Sequence, residues 1–166
     1  MPATYEPIAS VTLGSSASTV DFTSIAGTYT DLVLVCHVRG SASSAGLKIR
    51  FNSDSGSNYS TTTLWGDGSS ASSGRLSNQT QNHFAQYAGG LNVDNFTVTV
   101  CHIMSYANTN VNKTYLSAYA NAATEATRHV GLWRSTAAIT SVNIREGGSS
   151  SWTSGSTFAL YGIKAA

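Results

Sequence analysis

Charge is what this chain has least of. Asp, Glu, Lys and Arg make up 10% of its 166 residues, against about 25% in an ordinary soluble domain. The formal net charge is +1, so there is no basic field for a nucleic-acid backbone or an anionic membrane. Neither is expected as a partner. Proline is nearly missing as well: the two prolines are Pro2 and Pro7, and no later strand loses a backbone donor to one. No apolar run approaches the 18 or so residues needed to span a bilayer. The first residues, MPATYEPIAS, lack a basic region followed by a hydrophobic core, so export by the usual route is not expected.

Ser, Thr, Gly and Asn supply the polarity instead. These short side chains suit exposed strand faces and tight turns, whereas helix surfaces usually carry Glu, Lys and Gln. Period-2 patterning runs through most of the chain. In LKIRF, Leu47, Ile49 and Phe51 alternate with Lys48 and Arg50; in NFTVTV, Phe96, Val98 and Val100 alternate with threonines. Both read as strands with one face in a core. Other strand candidates are 8–13, 19–22, 31–39, 59–65, 82–87, 113–119, 129–134, 139–145 and 156–163, with Gly/Ser/Asn-rich turns between them. Only 120–129 could wind a helical turn or two. Ten or so strands at this spacing argue an all-β fold, an antiparallel two-sheet β-sandwich of jelly-roll-like arrangement. Residues 1–166 read as a single domain, which at this length buries about two-thirds of its unfolded surface. The expected core includes Leu32, Leu34, Cys36, Leu47, Ile49, Phe51, Phe96, Val98, Val100, Phe158 and Leu160.

The phrase VCHV at 35–38 returns as VCHI at 100–103. Neighbouring side chains on a strand point to opposite faces, so Cys36 and His37 cannot converge on one metal ion, nor can Cys101 and His102. Tetrahedral zinc ligands usually sit in turns, with two or more residues between them. If both strands send their cysteines inward, Cys36 and Cys101 are small buried hydrophobes. A disulfide between them would require α-carbons within about 7 Å. No metal ligand is assigned.

Catalytic signatures are wanting too. There is no GxSxG between a strand and a helix, no GxxxxGK[ST] and no GxGxxG. The acids Asp21, Asp31, Asp54, Asp67, Asp94, Glu125 and Glu146 fall mostly at strand ends and turns, where Asp commonly caps its own backbone. FNSDSGSNYS (51–60) resembles an oxygen-rich calcium loop but lacks the closing bidentate Glu, and an Asx-rich hairpin turn explains the same residues. On these grounds the expectation is of no enzyme, no catalytic residue and no cofactor. Trp65 and Trp152 flank Gly/Ser-rich loops, where exposed rings could stack on a sugar or anchor a subunit contact. Closing the ends of a sandwich core is the other use of such rings. Trp65, Asp67 and Trp152, with the loops 65–75 and 147–155, are the expected contact surface.

Three stretches carry a likeness: VDFTSIAGTYTDLVLVCHVRG (20–40), LKIRFNSDSGSNYS (47–60) and GSTFALYGIK (155–164). Together they resemble a β-sandwich module recurrent in virion structural proteins of tailed bacteriophages. WRSTAAITSVNI (133–144) falls where such modules carry a strand before a Gly/Ser loop. The resemblance implies a virion component made in the host cytoplasm. Its expected role is as a capsid decoration or cement protein working through protein–protein contacts. The partners implied are the major capsid protein or other virion proteins, and copies of itself. The alternative is a tail fibre or spike component binding a host receptor or glycan. The likeness carries no catalytic residue across.

Overall fold

A computed structural model describes residues 4–43, 46–85, 91–121 and 124–164. Twelve strands run in chain order: β1 (Tyr5–Thr12), β2 (Thr19–Phe22), β3 (Asp31–Val38), β4 (Lys48–Phe51), β5 (Tyr59–Gly66), β6 (Ala71–Gln79), β7 (Asn82–His83), β8 (Thr97–Met104), β9 (Lys113–Asn121), β10 (Glu125–Trp133), β11 (Val142–Arg145) and β12 (Thr157–Ile163). All pairings are antiparallel. They form an eight-stranded sheet in the order β1-β12-β3-β8-β9-β10-β5-β6 and a four-stranded sheet in the order β2-β11-β4-β7. The chain passes repeatedly from one sheet to the other, as a jelly roll does. Among the described residues there is no helix; the stretch considered for one, 120–129, instead joins β9 to β10, with residues 122 and 123 outside the described set.

The core lies between the sheets. Val20, Phe22, Ile49, Phe51, Val142 and Ile144 come from the small sheet, and Leu32, Leu34, Cys36, Cys101, Ile103, Tyr115, Phe158 and Leu160 from the large one. Phe51 is the hinge of the aromatic packing, with ring centroids 5.6 Å from Trp133 and 6.4 Å from Tyr115. Such pairs add about 1 kcal/mol beyond the area they bury. Each element follows from its alternation: Ile49 and Phe51 bury while Lys48 and Arg50 stay at the margin.

Four expectations need correction. β8 has the opposite phase to the one read from NFTVTV: Thr97, Thr99, Cys101 and Ile103 face inward, while Val98 and Val100 are about 40% exposed. Cys101 and Ile103 lie directly across from Leu34 and Leu32, and burying that quartet commits the whole strand, since a shift by one residue swaps its faces. Phe96 is half-buried, stacked on His37 at 4.9 Å with the Arg39 guanidinium 5.1 Å from its ring. The stretch after Trp65 is a strand: β6, built of Ser, Gly and Asn, pairs with β5 across a turn in which Asp67 N donates to Ser70 O and Gly68 takes φ +89°. The Asp67-Gly68 dipeptide was its signal in the sequence. β1 begins before the expected Ile8 and contains Pro7, tolerated because β1 is an edge strand with an irregular register at Pro7/Ala9. Of the expected strand 82–87, Asn82 and His83 form β7, and Gln86 and Tyr87 lie outside the described residues.

The two cysteines occupy adjacent strands of one sheet, and both are free and fully buried. Burial raises both thiol pKa values, so they are poor nucleophiles at neutral pH. The neighbouring histidines point to the other face, as the strand period requires. Replacing Cys36 and Cys101 together by Ala is therefore expected to cost about 1–3 kcal/mol in urea unfolding. The wild-type midpoint should be the same with and without reductant; a midpoint lowered by reductant would show a disulfide.

Candidate functional site: the outer face of the large sheet

The inverted phase of β8 extends across its neighbours. On β9, Tyr115, Ser117 and Tyr119 face inward and Leu116, Ala118 and Ala120 outward; on β10, Thr127, His129 and Gly131 face inward and Ala126, Arg128 and Val130 outward. The interior side of these strands is thus unusually polar. Thr99, Tyr119 and Thr127 stand opposite one another on three adjacent strands, and Ser117, His129 and Thr63 form the next row. The buried hydroxyls of Thr99, Ser117 and Thr127 have no hydrogen-bond partner among the described residues. The His129 ring is held at both ends: Nε2–H donates to the Ala85 carbonyl, so Nδ1 accepts from Thr63 Oγ1 at 2.9 Å. Burial lowers its pKa to about 4. His83, with Lys48 and His129 nearby, is lowered to about 4 mainly by burial.

The opposite side of the same strands carries the aliphatic residues. Val98, Val100, Leu116, Val130 and Leu64 are 40–60% exposed, and the registers place them together. Val98 pairs with Ala120, Val100 with Ala118, Leu116 with Val130, and Leu64 with Arg128. Four strands about 4.8 Å apart, over the length of four or five residues, give a patch of roughly 300 Å². That matches the largest apolar patch of a typical monomer, which is often a functional surface. A trough of about 640 Å³ lies along it, lined by Val100, His102, Leu116, Ala118, Arg128 and Val130, and continues into one of about 250 Å³ past Val98, Ala120 and Ala126. At one margin His102 Nε2 is 2.9 Å from Asp31 Oδ2, and Asp31 Oδ1 accepts the Ser105 N–H at 2.6 Å.

The residues expected as contacts meet different fates. Trp152 is fully buried: Nε1–H donates to Gly46 O at 3.0 Å, the ring packs 4.9 Å from Phe158, and its backbone bridges Ala17 and Gly40. It closes the end of the core, the other use weighed for such rings, and offers no surface, which corrects its place among the expected contact residues. Trp65 is half-buried on the inward side of β5, in the row of Thr127. Asp67 is exposed, but its Oδ1 accepts from the backbone N–H of Ser70 and of Ser69 at 2.8 and 2.9 Å. Those bonds lower its pKa and explain the residue as the cap of its turn. It sits at the mouth of a third recess, of about 330 Å³, that reaches Ala120 and Ala126 on the outer face. The 52–58 loop is the Asx turn rather than a calcium site: Asp54 accepts from Trp133 Nε1 at 2.7 Å, Gly56 N at 2.7 Å and Asn58 Nδ2 at 2.9 Å. Among the described residues no cluster of His, Cys, Asp and Glu could hold a metal ion.

Sequence reading missed the aliphatic face. Its signal was present: Leu116-Ser117-Ala118-Tyr119-Ala120 is apolar or small at both parities, as in strands covered on both sides.

No family model and no curated protein matches the chain. Among solved structures, a mutant alginate lyase in complex with an alginate tetrasaccharide is similar to 94% of this chain and 80% of its own, at 13% identity and a TM-score of 0.39. This corrects the expectation of no enzyme: the similar protein is an enzyme, and the exclusion is withdrawn. At that TM-score the likeness assigns no reaction, substrate or residue to this chain.

The interior histidines have a measurable consequence. With about 6.5 as the unfolded value, both are neutral in either state above pH 6.5 and contribute nothing to pH dependence. Between pH 6.5 and 4 the unfolded chain takes up protons that the folded state refuses, so stability falls. For His129 the loss reaches about 3 kcal/mol by pH 4. Urea unfolding at pH 7.5, 6, 5 and 4 should show this slope, and His129→Gln, which can keep both hydrogen bonds, should reduce it by about half, His83 supplying the rest. An unchanged slope in the variant would place the titration elsewhere.

Proposed function

We propose that this protein is a structural component of a tailed-phage virion, attached through the outer face of its eight-stranded sheet. Capsid decoration is the role this reading favours. The observation that supports it most is the aliphatic patch formed by Val98, Val100, Leu116, Val130 and Leu64 at the centre of a sheet that the protein itself leaves uncovered. Low charge supports it as well, since a surface of Ser, Thr and Asn buries against a neighbour without stranding ions. The resemblance of 20–40, 47–60 and 155–164 to phage virion modules supplies the biological setting. A standard interface buries about 800 Å² per partner, so the patch would form its apolar centre, with the hydroxyl-rich strands β5 and β6 as a polar rim. Many symmetry-related copies on one particle then give lasting attachment from a modest contact.

The double variant Leu116→Glu/Val130→Glu changes two exposed positions. It should unfold within about 2 kcal/mol of the wild type, since both positions are exposed but the two carboxylates stand opposite each other. It should nevertheless fail to attach to particles stripped of the native protein, measured by co-sedimentation. Particles lacking the protein should lose capsid integrity on heating or in low salt. Wild-type attachment by the variant would remove the outer face from the account. Intact capsids combined with lost adsorption to host cells would move the protein to the tail.

A further inference from the structure

The aliphatic patch has one cation at its centre. Arg128 lies directly between Ala118 of β9 and Leu64 of β5, is exposed, and makes no ion pair among the described residues. Arg75, on the edge strand β6 opposite Thr62, is likewise exposed and without an ion pair. The carboxylate at the margin, Asp31, is engaged by His102 and the Ser105 N–H. Covering this face with an apolar surface alone would bury the Arg128 guanidinium unpaired, at a cost that removes the gain from the aliphatic contacts. Face-to-face pairing of two copies would set the same unpaired cations against each other.

We infer that the outer face binds a protein segment in which a Glu or Asp stands among aliphatic residues, with the carboxylate seated on Arg128. This rests on the docking reading proposed above and names the chemistry of its partner. The guanidinium fork matches a carboxylate bidentately, and the trough lined by Ala118, Ala120 and Ala126 between the branched residues Val98, Val100, Leu116 and Val130 suits an extended or sheet-like partner. A sugar chain is a poorer fit, because sugar rings are gripped by flat aromatic faces. The side chains around Arg128 are Ala118, Leu64, Val100 and Val130, while Trp65 and Trp133 face the other side of the sheet.

The test uses the full-length protein and three synthetic probes, followed by methyl NMR and titration. The first is a strand-forming peptide of alternating Val and Thr with a central Glu, the second the same peptide with Gln, and the third a uronic-acid oligosaccharide. The Glu peptide should shift the methyl resonances of Val100, Leu116 and Val130, and Arg128→Gln should weaken it about tenfold or more. Arg128→Lys should recover part of that loss, and the Gln peptide should bind the wild type as weakly as the Glu peptide binds Arg128→Gln. No shift with the Glu peptide, equal binding of the two peptides, or shifts from the oligosaccharide alone would overturn the inference. Particle attachment separates the two levels. If Arg128→Gln attaches like wild type while Leu116→Glu/Val130→Glu does not, the docking face stands and the carboxylate anchor falls. If both variants attach, both fall.

Discussion

The placement of Cys101 and Ile103 against Leu34 and Leu32 sets the phase of the large sheet, and most of its other properties follow. Because a strand's side chains alternate without slack, burying that quartet sends Val98 and Val100 outward and brings Thr97 and Thr99 inward. β9 is tied to β8, and β10 to β9, residue by residue, so the same choice exposes Leu116 and Val130 and buries Ser117, His129 and Thr127. The sheet ends up with hydroxyls and a histidine on the side facing the core and aliphatic residues on the side facing water. A single strand could not adopt the other phase alone without breaking the alternation it shares with its neighbours.

That partition is expensive for an isolated domain. Buried hydroxyls without partners lose hydration, and aliphatic side chains left half in water gain only part of their burial energy from folding. Covering the outer face leaves the first cost in place but relieves the second, since about 25 cal/mol is recovered per Å² of apolar surface removed from water. The edges of the large sheet are consistent with attachment by a face. β1 carries Pro7 and a break in register, which discourages edge-to-edge growth. The rest of the chain holds this sheet rigid: Phe51 wedged among Trp133, Tyr115 and Tyr59, Asp54 gripping Trp133 Nε1, and Trp152 bolting the opposite end.

Much of the fold was legible in the sequence, because 48–51 alternates apolar with charged residues, and 31–38 and 157–163 are runs of strand-forming residues bounded by turn signals. The failures are instructive where both parities compete. In TVTVCHIM the valines and the Cys-Ile pair argue opposite phases, and only the cross-strand partners on β3 decide. In ASSGRLSNQ intrinsic strand preference is low, and the strand exists because the Asp67-Gly68 turn delivers it to β5. Trp152 was misplaced for a different reason: Gly/Ser-rich flanks describe a backbone that bends, and here the bend carries the ring into the core. The outer face was invisible as a site because it contains no catalytic signature, only aliphatic residues whose exposure depends on topology. Arg128 stood in the sequence as one charge among seventeen, and only the registers place it at the centre of the patch.

The central claim is that the outer face is covered when the protein is at work. Both native cysteines are fully buried, so a thiol introduced by Leu116→Cys would be the reactive one in the folded chain. Its alkylation rate can be compared between free protein and protein attached to particles. The account predicts rapid labelling in the free form and protection on the particle of at least tenfold. Labelling at equal rates in the two forms would contradict it.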